Sequence, residues 1–259
     1  MELRIYSQEA NQPRPRHRLT RWLEEFERWA APEVEPEREP GIEHEQERSF
    51  LPVAVLLGVA LLVQYAQFYH PAVRAYLENR DILYRASWIG FTIFKQWGLF
   101  VLMLVVFAIK EERLASVGFP RLDARRMTVA LGLVGFFLGA ALLHRPSYSL
   151  AEAGLYWMVP LWTGERVLSV ALALTAAVVE ETFFRGFAIV WTYRWSGSLP
   201  FAVLFPALVF SAGHAYLGWL NILFAFAVTL GFSALFLWRR DLYWLMVVHF
   251  VIDVLDLLA

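Results

Sequence analysis

Long apolar runs, separated by short polar stretches, dominate the chain from about residue 50 onward. A run of about 20 apolar residues is long enough for a helix to cross a bilayer. An aromatic stretch broken by prolines, 144–166, leaves open an eighth helix. The sequence therefore predicts an all-α polytopic membrane protein, a bundle of seven or eight transmembrane helices. The predicted spans are 49–73, 86–109, 127–143, 167–190, 200–216, 219–238 and 242–258.

The N-terminal 49 residues differ from the rest of the chain. Their second half is rich in Glu and Pro, a composition that buries too little apolar area to fold alone. We therefore predict a polar, partly disordered tail, 1–49, followed by a transmembrane helical domain, 50–259. Within the tail, residues 18–29 place Leu, Trp and Phe side chains at helical spacing. This pattern fits an interfacial helix and a soluble amphipathic turn about equally well.

Basic residues are unevenly shared between the predicted loops. With seven spans, the loops on the side of the N-terminal tail carry more Arg and Lys than the opposite loops. Because short basic loops stay in the cytoplasm, we expect a multi-pass protein of the cell membrane with a cytoplasmic N-terminus. With 58% hydrophobic residues, the chain has the lipid bilayer as its expected partner. No segment is basic enough to predict nucleic acid as a partner.

Few ionisable residues lie inside the predicted spans, and each is costly there unless it is paired or faces water. Lys95 is the single charge within the second span, where it either snorkels or faces the bundle interior. The fourth span contains Glu180, Glu181 and Arg185. Glu181 and Arg185 are four residues apart on one helical face, the spacing of an ion pair. Glu180 is rotated by about 100° and is left as a candidate general base or acid. The pattern fits equally well an arrangement in which both glutamates pair with Arg185 and tie helices together.

Two further spans contribute histidines. His214 stands at the end of the fifth span, where an isolated histidine is commonly an interfacial or hydrogen-bonded core residue. In the last span, His249 and Asp253 are again four residues apart and share a face. A carboxylate beside an imidazole commonly fixes its tautomer, although the pair also suits a polar clasp between helices.

Taken together, these side chains form the set that a hydrolase needs. Glu180 and the histidines can activate a water and stabilise the oxyanion that forms when it attacks a carbonyl. The chain contains no cysteine, which excludes a thiol nucleophile. The residues themselves leave open two other classes: a non-catalytic membrane immunity or scaffold protein, and a small transporter that uses the same polar cluster.

Three motifs in order resemble those of the CAAX-processing and bacteriocin-processing (Abi) intramembrane endopeptidases, which include the prenyl-protein endopeptidases. Glu180-Glu181-Thr-Phe-Phe-Arg185 matches two adjacent glutamates, three residues and Arg. Phe210-Ser-Ala-Gly-His214 matches Phe, three residues and His. His249-Phe-Val-Ile-Asp253 matches His, three residues and Asn or Asp. The resemblance covers roughly residues 110–259, in which we place the protease core.

The resemblance implies an activity and a role for each residue. Glu180 and His214 would activate the attacking water, while His249 and Asp253 would form or support the oxyanion site. Asp253 stands where some relatives have Asn, and a carboxylate donates a hydrogen bond only when it is protonated, so orienting His249 is the safer role. Glu181, Arg185 and Phe210 would support the site.

Metal dependence is left open by the resemblance, since the family has been described both as metalloproteases and as glutamate proteases. Glu180, His214 and His249 have the donor atoms of a catalytic zinc site. The chain nevertheless lacks the HExxH helix of soluble zinc proteases. We therefore expect no cofactor. The expected substrate is a membrane-associated or lipidated peptide or protein, because only such a chain brings its scissile bond to a site within the bundle.

Overall fold

The computed structural model describes residues 18–30, 51–66, 86–119, 123–143, 163–215 and 219–258. These residues are almost entirely helical, and no strand occurs among them. The predicted all-α fold is therefore confirmed. The α-helices are α1 Arg18–Ala30, α2 Leu51–Ala66, α3 Ala86–Ile109, α4 Ala124–Leu143, α5 Thr163–Glu180, α6 Val190–Ser196, α7 Leu199–Ala212, α8 Trp219–Arg239 and α9 Leu242–Leu258. A 3₁₀ helix, Leu114–Val117, follows α3, and a π-helical segment, Glu181–Ile189, joins α5 to α6.

Four continuous helical stretches of the described chain are long and apolar enough to cross a membrane. They are α3, α4, the unit Thr163–Ser196 made of α5, the π-helical segment and α6, and α8. Shorter apolar helices form at Leu51–Val63 and Leu199–Ala212. These boundaries lie close to the predicted ones because apolar runs of this length have few alternatives to helix in a bilayer. The segment 144–162, where an eighth helix was left open, lies outside the described residues.

Helix α5 occupies the centre of the bundle. It packs against α9, α3 and α4, while the π-helical segment that follows it packs against α7, α8 and α9. Small residues such as Ala173 and Ala177 are fully buried on α5, and small side chains let neighbouring helices approach closely. The unit Thr163–Ser196 is consequently the most buried of the four spans.

Helix α1 is docked on one end of this bundle. Its Phe26 is fully buried and packs edge-on against Tyr193 of α6, and its Trp29 packs against Phe236 of α8. Arg194 donates to the Ala30 carbonyl over 2.6 Å, which satisfies a carbonyl at the end of the helix. The apolar residues at helical spacing therefore form a helix, and its apolar face packs against protein.

Charged side chains concentrate at the same end of the bundle. Arg194 also pairs with Glu112, and Arg126 at the start of α4 pairs with Asp241 over 2.7 Å. Arg240 donates to the carbonyl of Glu25 in α1 over 3.1 Å. The loops that the sequence assigned to the side of the N-terminal tail therefore meet at one end.

Candidate active site

A layer of polar side chains separates two apolar clusters along the bundle. On α3, the layer lies between Ile89 of one cluster and Leu99 of the other. Along α5 and the π-helical segment the layer begins after Ala177, and on α9 it lies between Leu245 and Phe250. The layer contains Thr92, Lys95, Gln96, Glu180, Glu181, Arg185 and His249. Because these groups come from three helices, packing between the helices determines how they meet.

The backbone changes from α-helix to π-helix at the second of the two glutamates. The π-helical segment, Glu181–Ile189, carries Arg185 and Gly186. A Cβ atom at Gly186 would lie 2.8 Å from the carbonyl oxygen of Val117, so the close approach of the 3₁₀ helix requires glycine. π-Helical turns are frequent at functional sites, where they shift side chains relative to a regular helix. The hydrophobic pattern contains no sign of this change.

Glu181 is the fully buried centre of the ionic network. Its Oε1 lies 3.0 Å from Arg185 Nη1, so the predicted ion pair is present. The same oxygen lies 2.6 Å from His249 Nδ1 on α9. Glu181 therefore ties the π-helical segment to α9 as well as neutralising Arg185, a second contact that the spacing of the sequence did not reveal.

Arg185 is buried among aromatic rings from α7 and α8. Its guanidinium carbon lies 5.0 Å from the Phe210 ring centroid and 5.3 Å from that of Phe232. Its Nη2 donates to Thr229 Oγ1 over 3.4 Å. Ring faces attract a desolvated cation, which compensates part of the cost of burying it. Phe210 thus supports the network through Arg185.

His249 is held between carboxylates on both sides of its ring. Nδ1 faces Glu181, and Nε2 lies 3.2 Å from Asp253 Oδ2. An ionised carboxylate only accepts hydrogen bonds, so each of the two carboxylates can accept from the ring nitrogen that it faces when that nitrogen carries a hydrogen. Nε2 also lies 3.9 Å from Glu180 Oε2, a separation too long for a direct hydrogen bond. His249 and Asp253 share a face, as the spacing predicts, and that face is turned towards Glu180.

Glu180 has a partner that the sequence reading missed. Gln96 of α3 donates from Nε2 to Glu180 Oε1 over 2.8 Å, and both side chains are buried. The spacing of the sequence offered Glu180 no partner along its own helix, and the structure provides one from α3. A signal for Gln96 was present, since Thr92, Lys95 and Gln96 follow helical spacing in an otherwise apolar span. Lys95 is buried in the bundle, which excludes snorkelling.

His214 stands two residues beyond the end of α7, next to the network. Its Nδ1 lies 2.9 Å from the Phe210 carbonyl oxygen, and its ring lies 4.7 Å from that of Phe210. Because a carbonyl oxygen only accepts, Nδ1 carries the hydrogen and Nε2 keeps its lone pair in the neutral ring. His214 also interacts electrostatically with Asp253 and His249. The structure therefore brings Glu180 and His249 close together and places His214 on Phe210, whose ring packs against Arg185 of the same network.

The donor atoms do not form a metal cage. Among the described residues, no group of three His, Asp or Glu side chains is arranged to hold a metal ion. Both nitrogens of His249 face carboxylates, and Glu180 Oε1 accepts from Gln96. A zinc site at Glu180, His214 and His249 would require these contacts to break. The side chains in this arrangement do not fit zinc.

Comparison with known families supports the motif reading. Residues 162–255 match the family model "Type II CAAX prenyl endopeptidase Rce1-like". The resemblance to the CAAX-processing endopeptidases is confirmed. The match contains all three motifs. It begins after Gln96, which lies on a helix outside the matched segment. No curated protein and no solved structure matches the chain.

This CAAX-protease match and the apolar helices support a membrane protein of protease type. The matched segment runs from the residue before α5 to the last turn of α9. It therefore includes the central helix, the π-helical segment and the carboxylate-held His249.

Proposed function

We propose that the protein is an intramembrane endopeptidase that hydrolyses a peptide bond of a membrane-associated or lipidated substrate. The observation that carries this proposal is the position of Glu180 Oε2, 3.9 Å from His249 Nε2, in a polar layer between two apolar clusters. A base and a hydrogen-bond donor that face each other can act on the two sides of one carbonyl group.

Glu180 is the general base of this proposal. A water bound to Oε2 gives a proton to the carboxylate while its oxygen bonds to the carbonyl carbon of the scissile peptide. The carbonyl electrons move onto oxygen, and the resulting oxyanion accepts a three-centre hydrogen bond from Nε2–H of the protonated His249 ring, which it shares with Asp253 Oδ2. The carbon–nitrogen bond then breaks, and the proton held by Glu180 passes to the leaving amine. The sum is one peptide and one water converted to a carboxyl and an amine.

His214 and Asp253 assist these steps. With Nδ1 bound to the Phe210 carbonyl, His214 Nε2 is the atom that accepts a hydrogen bond from the attacking water. Asp253 keeps the His249 ring oriented from the opposite edge to Glu181. Glu181 and Arg185 hold the π-helical segment against α9 and keep the base next to the donor.

The same arrangement suggests where the substrate approaches. The helical domain 50–259 would lie as a multi-pass unit in the cell membrane, with the end that carries α1, Arg126 and Arg194 in the cytoplasm. The polar layer would then lie within the bilayer, so that a peptide anchored by a lipid or an apolar segment reaches it. The region 110–259 would contain the proteolytic residues, with no cofactor required.

The test uses the purified full-length protein in detergent micelles and a panel of fluorescence-quenched peptides. The panel contains peptides ending in Cys-aliphatic-aliphatic-X with and without a farnesyl thioether, and a palmitoylated peptide. We expect the wild type to cleave at least one lipidated peptide, and Glu180→Gln and His214→Ala to abolish cleavage with melting temperatures near wild type. Loss of a general base typically costs about 10² to 10⁴ in rate. Glu165→Gln, on the same helix as Glu180, is the matched control and should retain full activity.

The outcomes separate the remaining classes. Equal cleavage by wild type and Glu180→Gln would show that Glu180 is not the base. A scaffold or immunity protein would cleave no peptide, and the membrane proteomes of cells expressing wild type or Glu180→Gln would show the same chain termini. A transporter would move a substrate or protons across vesicles without cleaving the peptides.

A further inference from the structure

Gln96 contacts the proposed base from a helix that lies outside the matched segment. Its Nε2 donates to Glu180 Oε1 over 2.8 Å, across 84 positions of the chain. A carboxylate cannot donate, so the amide nitrogen must be the end that faces Glu180. One oxygen of Glu180 is thereby fixed, and the other oxygen is the one that faces His249.

The burial of Gln96 indicates that this contact does more than pack two helices together. The side chain is 6% exposed, and its Oε1 has no hydrogen-bond partner among the described residues. A buried polar group without a partner costs about 1 to 3 kcal/mol, which an apolar residue of similar size would avoid. Lys95, one residue earlier, is also buried and attracts the Glu180 carboxylate. Helix α3 therefore presents a polar face to the site.

Helix α3 is held in the rotation that aims Gln96 at Glu180. Ile89, Leu99 and Met103 are buried on the same side of α3 as Gln96. The amide thus approaches Glu180 from a rigid element, which is the condition for precise positioning.

We propose that Gln96 is a positioning residue for the catalytic carboxylate: it holds Oε1 of Glu180 so that Oε2 faces the attacking water and His249. This inference rests on the proposed function, since it assumes that Glu180 is the base. Gln96 acts on Glu180 and not on the substrate. Its loss therefore lowers kcat and leaves KM unchanged.

The test measures kcat and KM of Gln96→Met on the lipidated peptide that the wild type cleaves. Methionine matches glutamine in length and lacks the donor. We expect kcat to fall up to about 100-fold, the loss that a misplacement of about 1 Å can cause, with KM within about twofold of wild type. Gln96→Glu should lose more than Gln96→Met, because a second carboxylate would repel Glu180. Should Gln96→Met not fold, Gln96→Asn takes its place, since it keeps the amide and withdraws the donor by one methylene.

Trp97→Phe is the matched control. It removes the hydrogen bond from Trp97 Nε1 to Thr175 Oγ1, which also joins α3 to α5, and it leaves the contact with Glu180 unchanged. It should keep the wild-type kcat. A wild-type kcat in Gln96→Met, or a rise in KM alone, would overturn the positioning role while an inactive Glu180→Gln would leave the proposed function standing. Cleavage that is independent of Glu180 would overturn the proposed function itself.

Discussion

His249 Nδ1 lies 2.6 Å from Glu181 Oε1, which links α9 to the π-helical segment at the level of the site. The same carboxylate oxygen faces Arg185 Nη1 at 3.0 Å. Glu181 therefore contacts two partners at once: Arg185, which it neutralises, and His249, whose ring faces Glu180. Glu181 is a junction in this sense: it stabilises the bundle through Arg185 and orients His249, the proposed oxyanion donor.

Replacement of this junction should affect stability and activity together. In Glu181→Ala, Arg185 loses its carboxylate inside the bundle, and unpairing one member of a buried ion pair typically costs about 3 to 5 kcal/mol. His249 also loses the acceptor for Nδ1. We expect a clearly lower melting temperature, measured by differential scanning fluorimetry, together with reduced peptide cleavage. Glu165→Gln on α5 is the control, and an unchanged melting temperature in Glu181→Ala would contradict the role of Glu181 as a junction.

Asp253 offers a way to separate orienting from direct catalysis. Its carboxylate lies 3.2 Å from His249 Nε2, and its side chain is 30% exposed. In Asp253→Asn, the amide oxygen can still accept from His249, so we expect cleavage within about tenfold of wild type. In Asp253→Leu, the acceptor is lost, and kcat should fall by about 10² or more, the cost typical of a disrupted oxyanion donor. Equal activity of Asp253→Leu and wild type would exclude the orienting role.

The apolar pattern of the sequence predicted the helices well and the contacts between them only in part. Runs of apolar residues define where helices cross a bilayer, but they carry no information on the switch to π-helix at Glu181, since every side chain around it is buried. Gln96 was missed because charge alone was taken to mark costly residues, and an uncharged amide also needs a partner. The spacing of Glu181, Arg185, His249 and Asp253 was informative because these contacts lie within one turn of helix.

Helix α1 shows the same division between local and distant information. Its amphipathic pattern is local, whereas the partners of Phe26 and Trp29 lie on α6 and α8, far along the chain. We expect Phe26→Ala to release α1 from the bundle, because truncating a buried Phe typically costs about 3 to 5 kcal/mol. Limited trypsin digestion should then cleave at Arg28 much faster than in wild type, since cleavage requires local unfolding of the helix. Glu25→Ala, at an exposed position, should be cleaved at the wild-type rate, and equal rates in both variants would show that Phe26 does not anchor α1.

The hydrogen-bond partners of the histidine nitrogens predict that activity does not depend on a metal. Both nitrogens of His249 face carboxylates, and His214 Nδ1 donates to the Phe210 carbonyl. Zinc at Glu180, His214 and His249 would have to displace Asp253 or Glu181 from the ring and compete with Gln96 for Glu180. We therefore expect peptide cleavage to survive treatment with 1,10-phenanthroline followed by dialysis. Mass spectrometry should find zinc well below one equivalent per protein molecule. Loss of activity on chelation, with recovery on adding zinc to wild type and not to His249→Ala, would establish a metalloprotease.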